Sequence, residues 1–312
     1  MRLQQIRYIM EIARCHSINK AALNLFITQP TLSAAVKDLE EELAITIFER
    51  SRKGVTLTIE GIEFLQLAEK LLQQADAITE RYSKEKTPGP VHLQISCQHY
   101  AFVTEAFIHF LQQSAHEKYV FNVKETETLE AIEDVYRKDS ALGIISLSPY
   151  NQAYLTQVLD RQGITFHELL QVTPHAFMRK AHLLACRKEI SLDELAPYPI
   201  VVYEQDNPAN KMTSEEMIIL DDPQKLIYSH DRGTTNNIIA STDCYTIGTG
   251  YIIPGIIPDE ITSIPLTGYG DQIQLGWIQL KNQELSPEAQ TFLELIKDSL
   301  WNNYPGTGAG RH

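Results

Sequence analysis

One stretch decides the fold of the N-terminal region: Asn19-Lys-Ala-Ala-Leu-Asn-Leu-Phe-Ile-Thr-Gln-Pro-Thr-Leu-Ser33. Asn19 is a suitable N-cap for a short helix over residues 20–25, and Thr28 is a suitable N-cap for the next helix. Pro30 falls in the first turn of that second helix, where a missing N–H costs little. Two capped helices that begin so close together predict a helix-turn-helix, a motif that reads DNA.

The second helix of this motif has two different faces. The inward face is predicted from apolar side chains at helical spacing, namely Leu32, Val36, Leu39 and Leu43. Gln29, Ser33 and Lys37 lie four residues apart on the opposite face. Thr28 and Thr31 stand at the helix N-terminus, where a recognition helix meets base edges and phosphates. For this helix taken alone, an ordinary solvated face is the alternative.

A basic hairpin is predicted directly after this helix. Residues 48–58 read as two short strands around a turn that contains Arg50, Arg52 and Lys53. Three cations in four residues suit phosphate oxygens, so the hairpin can act as a wing along the DNA backbone.

A long helix follows, with Thr58 as its predicted cap. Its apolar residues alternate in steps of four and three, which is a heptad seam: Phe64, Ala68, Leu71, Ala75, Ile78 and Tyr82. Such a helix is too apolar to stand alone in water, so we expect it to pair with its copy in another chain. Packing on its own domain is the alternative, since three heptads make a short seam.

Five short motifs carry a family resemblance. They are Ala21-Ala-Leu-Asn-Leu25, Thr28-Gln-Pro-Thr-Leu-Ser33, Leu39-Glu-Glu-Glu-Leu43, Ile47-Phe-Glu-Arg50, and Leu57-Thr58 followed by Gly61. Over residues 3–72 they resemble the winged helix-turn-helix of LysR-type transcriptional regulators. The resemblance implies DNA contacts at Thr28, Gln29, Pro30, Thr31, Ser33, Arg50, Arg52 and Lys53, to which the helix face adds Lys37. Many members carry Arg and a polar residue where this chain has Ala34 and Ala35, so we expect base readout to depend more on Gln29, Ser33 and Lys37.

Length and charge limit the remaining possibilities. A chain of 312 residues is expected to form two or three compact units. Residues 1–90 hold 12 basic and 12 acidic side chains, so the net charge of −13 belongs entirely to the C-terminal part. Repulsion from that part should keep non-specific DNA affinity low and salt dependent. No apolar run is long enough to span a bilayer and no signal peptide is apparent, which predicts a cytoplasmic protein without a membrane partner.

The C-terminal part begins after a proline-rich join at residues 84–90. Strands are predicted over 91–95, 119–123 and 141–145, with helices over 100–113 and 128–138 between them, which indicates a mostly parallel sheet. A second set has strands over 172–177, 199–203, 225–229 and 261–266, and helices over 191–195 and 234–241. A strand over 274–280 returns the chain to the first sheet, and a helix over 286–301 follows. Two such α/β subdomains joined by two crossovers form a clamshell.

The predicted boundaries follow from these patterns. Residues 1–58 form the winged helix-turn-helix, residues 59–90 the linker and dimerisation helix with a hinge, and residues 303–312 a disordered tail. Residues 91–302 form two doubly wound subdomains, with 91–161 and 267–302 in the first and 162–266 in the second. This region also resembles the LysR-type effector-binding domain, through Glu130-Ala-Ile-Glu-Asp-Val-Tyr136, Ser191-Leu-Asp-Glu-Leu195 and Ile247-Gly-Thr-Gly250 among others. The resemblance implies a periplasmic-binding-protein fold, a small effector in the cleft, a dimer or tetramer, and RNA polymerase as a further partner.

The candidate effector site follows from a general rule of doubly wound sheets. Ligands bind beyond the carboxyl ends of the strands, near helix N-termini that favour anions. In this sequence those ends hold Ser96, Cys97, Gln98, His99, Thr126, Glu127, Thr128, Ser146, Tyr203 and Thr246. Ordinary helix capping uses the same residue types and is the alternative.

Other chemistries find little support in the sequence. The four cysteines lack zinc-site spacing, the histidines form no helical metal pair, and no nucleotide-binding or hydrolase motif is present, so we expect no metal, no cofactor and no catalysis. A thiol pair of Cys97 and Cys244 is a further hypothesis. The rival functions are a solute-binding protein without DNA function, and a cleft enzyme that would need a reactive set such as His99, Glu127 and Cys244.

Overall fold

The computed structural model describes residues 1–51, 54–82, 90–205, 212–220, 223–270 and 273–303. They belong to two units, Met1–Gly89 and Pro90–His312. The join predicted at residues 84–90 lies outside the described residues except for Pro90, and so does the predicted tail except for Asn303.

The first unit contains four helices and a two-stranded hairpin in the described residues. The elements are α1 (Leu3–Cys15), α2 (Ile18–Asn24), α3 (Gln29–Leu43), β1 (Phe48–Ser51), β2 (Gly54–Leu57) and α4 (Ile59–Tyr82). The strands pair antiparallel, with Phe48 opposite Leu57. Leu32, Val36 and Leu39 of α3 are buried in one core with Ile9 and Ile12 of α1. The predicted inward stripe is therefore confirmed, with Leu43 packed at its edge.

The helix caps agree with the sequence prediction at two places and differ at one. Thr28 accepts the N–H of Thr31 at 3.3 Å, and Thr58 accepts the N–H of Gly61 at 2.8 Å. The prediction that Asn19 caps the second helix is wrong, because Ser17 caps it by accepting the N–H of Lys20. Ser17 has an extended backbone, as an N-cap requires, whereas Asn19 already lies inside the helix.

The apolar seam of α4 divides into two parts. Phe64 packs on the core of its own unit and Ala68 is buried, so the first turns of the helix complete that core. Leu71 and Ile78 are exposed, and Ala75 is half-buried. The side chain of Tyr82 lies outside the described residues. The first turns therefore follow the alternative of packing within the domain, while the later turns present an apolar surface.

The first subdomain of the C-terminal unit is built on a five-stranded sheet. Its strands are β3 (Val91–Cys97), β4 (Tyr119–Glu125), β5 (Leu142–Leu147), β6 (Ile164–Val172) and β12 (Ile273–Leu280), in the spatial order β4-β3-β5-β12-β6. The pairs β3–β4 and β3–β5 are parallel, whereas β12 runs antiparallel to β5 and to β6. Its helices are α5 (Ala101–Gln113), α6 (Thr128–Tyr136), α7 (Gln152–Gln162) and α10 (Pro287–Asn302). The predicted return of the chain to the first sheet is thus observed.

The second subdomain is smaller and contains two short sheets. Its elements are β7 (His175–Arg179), α8 (Leu192–Leu195), β8 (Ile200–Tyr203), β9 (Leu226–Ser229), α9 (Arg232–Ser241), β10 (Thr246–Gly248) and β11 (Ile261–Pro265). Strand β7 pairs antiparallel with β10 and β11, whereas β8 and β9 are parallel. The two sheets of the second subdomain together contain fewer parallel pairs than the predicted alternation of strands and helices implies.

Two predictions about the junction between the subdomains need correction. The single strand predicted over 172–177 is two strands, β6 and β7, separated by Thr173 and Pro174. Proline cannot donate to a ladder, and the chain leaves the first sheet at this point. Because β6 pairs with β12 in the first sheet, the first subdomain extends to Val172 rather than to residue 161. Helix α7 and strand β6 were not predicted from the sequence.

Candidate functional sites

The outer face of α3 presents the predicted DNA-contacting side chains. Thr28, Pro30, Thr31 and Lys37 are exposed, while Gln29 and Ser33 are half-buried. The amide of Gln29 donates to the hydroxyl of Ser33 at 2.7 Å, and the hydroxyls of Thr28 and Thr31 lie 2.8 Å apart. These bonds hold four polar groups in fixed positions on the first turns of the helix. The side chain of Arg50 lies outside the described residues, as do Arg52 and Lys53.

A cavity of about 80 Å³ lies between the two subdomains of the C-terminal unit. The first subdomain contributes Gln98, His99, Tyr100 and Ala101, which follow β3. The second contributes a larger set: Phe177, Tyr203, Glu215, Glu216, Met217, Arg232, Thr235, Asn236, Thr246, Ile247, Gly248, Thr249, Tyr251 and Ile257. The cavity is therefore lined both by polar and charged groups and by aromatic and aliphatic side chains.

Gln98 is fixed from three directions at the base of the cavity. Its carbonyl oxygen accepts the backbone N–H of Ser146 at 2.8 Å and the Ser146 hydroxyl at 3.1 Å, and it also accepts the hydroxyl of Tyr100. Its amide donates to the hydroxyl of Thr128. The side chain thereby joins the ends of β3 and β5 to the start of α6.

His99 links the two subdomains across the cleft. Its Nδ1 lies 3.0 Å from Oε1 of Glu215, and its ring stacks on Tyr203 with centroids 3.9 Å apart. Burial by itself would lower the pKa of His99, but the hydrogen bond and the negative charge of Glu215 raise it above its ordinary value. This carboxylate therefore favours the protonated imidazole and a closed cleft.

Arg232 forms a second link across the cleft. Its Nη2 lies 2.7 Å from Oε1 of Glu125 and donates to the hydroxyl of Thr104 at 2.7 Å, and its Nε also donates to Glu125. Glu125 and Thr104 belong to the first subdomain, whereas Arg232 begins α9 of the second. A third link runs from the amide of Asn151 to the backbone carbonyl of Ser214, at 3.1 Å.

Glu216 lies beside these links in the cavity wall. One carboxylate oxygen accepts the backbone N–H of Tyr203 at 3.1 Å. Burial and the neighbouring charge of Glu215 raise the pKa of Glu216 to about 8. The cleft of the second subdomain thus contains a carboxyl group that keeps its proton near neutral pH.

The structure brings together four of the ten predicted effector-site residues at the cavity: Gln98, His99, Tyr203 and Thr246. Thr128 and Ser146 lie behind them and hold Gln98. The other four predicted residues lie elsewhere. Ser96 forms hydrogen bonds with Asp134 and Ser140, and Cys97 is packed in the core. Thr126 forms a hydrogen bond with Glu130, and Glu127 directly precedes α6. Successive side chains of β3 point to opposite faces of the sheet, so only part of the predicted set reaches this cavity.

Sequence reasoning missed the acidic pair Glu215 and Glu216 and the cation Arg232. Arg232 stands where a strand end meets a helix N-terminus, with Asp231 as the cap, so the same rule could have found it. Glu215 and Glu216 lie in an irregular segment outside any helix or strand, where no periodicity marks them.

The residues named for the enzyme alternative and for the thiol pair do not all meet at this cavity. Cys97 and Cys244 are buried free thiols, and neither Cys244 nor Glu127 lines the cavity with His99. The described residues contain no group of three or more His, Cys, Asp or Glu side chains that could hold a metal ion. Within those residues, no helix is long and apolar enough to cross a membrane.

A helix-turn-helix unit joined to an α/β unit with a cleft between two subdomains defines a two-part DNA-binding regulator. A family model described as "Bacterial regulatory helix-turn-helix protein, lysR family" matches residues 3–62. A second, described as "LysR substrate binding domain", matches residues 112–301. Together they cover well over half of the chain, which therefore belongs to the LysR family of bacterial transcriptional regulators.

Individual relatives extend along the whole chain. The HTH-type transcriptional regulator BsdA of Bacillus subtilis is 24% identical over 302 residues, covering 95% of this chain and all of the relative. YbhD of Escherichia coli, an uncharacterised HTH-type transcriptional regulator, is 27% identical over 96% of this chain and 95% of its own. Full-length CbnR, solved with its target DNA, shares the fold with a TM-score of 0.60, at 16% identity over 96% of this chain and all of CbnR.

Proposed function

We propose that a small molecule bound in the cleft controls how this regulator binds its operator. The protein acts as a dimer or tetramer in the cytoplasm, where the chromosome lies, and RNA polymerase is a further partner. The cleft binds its effector without chemical turnover.

The outer face of α3 supports the DNA side of this proposal. A glutamine amide can pair with both groups that adenine presents in the major groove, and a lysine can reach guanine or phosphate. Gln29 and Ser33 are held by their mutual bond, so their orientation is set before DNA binds. The ammonium group of Lys37 lies 3.4 Å from a carboxylate oxygen of Glu41, but 73% of the lysine side chain is exposed, so this surface pair can open toward DNA. Base readout is therefore assigned to Gln29, Ser33 and Lys37, and backbone contacts to Thr28, Thr31, Arg50, Arg52 and Lys53.

The three links across the cleft are the observation that best supports effector binding between the subdomains. They join His99 to Glu215, Arg232 to Glu125, and Asn151 to Ser214, and the first two involve side chains that line the cavity. A ligand in that cavity contacts both subdomains and changes the balance of these links. Differential binding of this kind typically supplies about 1–3 kcal/mol of coupling between two sites.

The exposed part of α4 supports self-association. Leu67, Leu71 and Ile78 are exposed apolar residues on a helix that also carries the heptad pattern. Pairing of two such helices would bury this surface and bring two recognition helices to one operator. The dimerisation residues are therefore proposed as Leu71, Ala75, Ile78 and Tyr82, with Phe64 and Ala68 supporting the helix from within its own unit.

Selection of genomic fragments by the purified full-length protein tests the DNA side. Fragments retained at about 0.15 M salt are sequenced, with Gln29→Ala/Lys37→Ala as the test variant. A matched control is Glu189→Gln, which changes an exposed side chain in the other unit. We expect enrichment of a dyad-symmetric site for the wild type and the control, and its loss in the double variant.

Two results would contradict the proposal. If the double variant retained the same fragments as the wild type, readout would lie elsewhere than on α3. If no dyad-symmetric site were enriched, with or without metabolite extracts, the cleft would have to serve a binding or catalytic role independent of DNA.

A further inference from the structure

The charges around the cleft indicate the chemical class of the effector, an inference that rests on the proposed function. We propose that the effector carries a positively charged organic amine, bound by Glu215 and Glu216 and flanked by the aromatic side chains that line the cavity.

The ionisable side chains that line the cavity determine which ligand charge it favours. Apart from tyrosines, the ionisable side chains of the described residues that line the cavity are His99, Glu215, Glu216 and Arg232. Both cations already have an acidic partner, since His99 faces Glu215 at 3.0 Å and Arg232 faces Glu125 at 2.7 Å. Glu216 remains as an additional carboxyl group, and within the described part of the chain no cation forms an ion pair with it. A ligand cation would interact with the Glu215 carboxylate and favour the ionisation of Glu216, whereas a ligand anion would meet the Glu215 carboxylate and, among the described residues that line the cavity, only cations that already have an acidic partner.

Helix N-termini are the usual alternative source of positive potential at a ligand site. Helix α9 begins at the cavity, but Asp231 already accepts the N–H of Thr234 at 2.8 Å and so occupies that N-terminus with its own carboxylate. Helix α5 begins at the opposite wall without a side-chain cap. The first N–H groups of a helix have no intrahelical partner, so those of α5 can donate to a carbonyl or hydroxyl oxygen at the other end of the ligand.

Aromatic side chains form a large part of the cavity lining. His99 and Tyr203 form a stacked pair, and Tyr100, Phe177 and Tyr251 line the same cavity. Aromatic faces attract organic cations and also take up their hydrocarbon parts. These aromatic side chains favour an ammonium group on an organic skeleton over a hydrated metal ion, which prefers several oxygen ligands.

The test compares three ligands that share a phenylethyl group and carry a positive, a neutral or a negative end group: 2-phenylethylamine, 2-phenylethanol and 3-phenylpropanoate. Calorimetric titration of the full-length protein at pH 8 should give at least tenfold tighter binding for the amine than for the other two. Glu216→Gln keeps the size of the side chain and removes its charge, so it should weaken amine binding tenfold or more and leave the alcohol within twofold. Glu189→Gln should change neither.

The pH dependence gives a second readout that does not depend on the stability of the variant. The groups facing Glu216 are Glu215, His99, the Arg232–Glu125 pair, and the phenols of Tyr100, Tyr203, Tyr228 and Tyr251. Binding of a cation requires Glu216 to release its proton, so amine affinity should rise close to tenfold between pH 6 and pH 7. Glu216→Gln should remove most of that rise, leaving the part due to His99.

Equal or tighter binding of the carboxylate would overturn this proposal, and so would failure of all three ligands to bind. The same preparations are assayed for retention of operator DNA. Specific DNA binding together with a preference for the carboxylate would leave the proposed function intact and refute only the ligand class. Preference for the amine in a protein that retains no specific DNA would refute the proposed function and keep the ligand class.

Discussion

The link between Arg232 and Glu125 allows a quantitative prediction about the effector-binding unit. Removal of the guanidinium in Arg232→Met leaves the Glu125 carboxylate and the Thr104 hydroxyl without their partner. The two charged side chains are 15% and 24% exposed, so the pair is neither fully buried nor at the open surface. Exposed pairs contribute about 0.2–1 kcal/mol, and truncation of a fully buried pair costs about 3–5 kcal/mol. We therefore expect Arg232→Met to lower the free energy of unfolding by about 2 kcal/mol.

The assay uses a feature of the sequence that isolates this unit. Both tryptophans of the chain, Trp277 and Trp301, lie in the C-terminal unit, so their fluorescence reports its unfolding alone. With a urea dependence of about 2–3 kcal/mol per molar, the midpoint should fall by about 0.7–1 M. A double-mutant cycle with Glu125→Gln should give a coupling of about 1 kcal/mol or more.

The exposed pair of Arg187 and Glu194 provides a matched control. Arg187 faces Glu194 at 3.7 Å with 60% and 40% of the side chains exposed, so Arg187→Met should change the midpoint little. The reasoning fails if Arg232→Met behaves like Arg187→Met, or if its effect adds to that of Glu125→Gln without coupling.

Two further predictions concern the packing of α4 and the titration of the cleft. In Gly61→Ala the new Cβ would lie 2.2 Å from the carbonyl oxygen of Ile47, so α4 must shift. The free energy of unfolding should fall by about 2 kcal/mol, which a lower melting temperature in circular dichroism would show, and operator affinity should fall as well. The exposed change Glu63→Ala should alter neither quantity. Folded Glu216 keeps its proton up to about pH 8 while an unfolded glutamate releases it near 4.5, so the free energy of unfolding falls as pH rises between these values. Urea midpoints at pH 5.5 and 8 should therefore differ less in Glu216→Gln than in the wild type, and an unchanged difference would contradict the assignment.

The local signals that succeeded were those with a short-range physical cause. Thr28 and Thr58 cap their helices because each side chain reaches an N–H three residues ahead, and no distant contact is needed. The same criterion failed at Asn19, since Ser17 satisfies it equally well and sequence alone could not choose between them. The choice depends on where α1 ends, which is a matter of packing.

The failures in the C-terminal unit have a different cause. Helix α7 buries only Leu155 and Leu159, so its apolar period is weak, and β6 lies at the edge of its sheet with a mixed burial pattern. Gln98 could be predicted for the cleft because it ends a clear strand. Glu215 and Glu216 could not, because only the folding of an irregular segment against His99 and Tyr203 gives them their position.

The return of β12 to the first sheet has a consequence for synthesis of the chain. This strand lies between β5 and β6, so the sheet contains a gap until about residue 280 has left the ribosome. Until then β5 and β6 each present an unpaired edge, which is a site for mispairing with other chains. The DNA-binding unit needs no later residues for its core and can fold well before that point. A nascent chain stalled before Ile273 would therefore carry a finished DNA-binding unit beside an unfinished, aggregation-prone sheet.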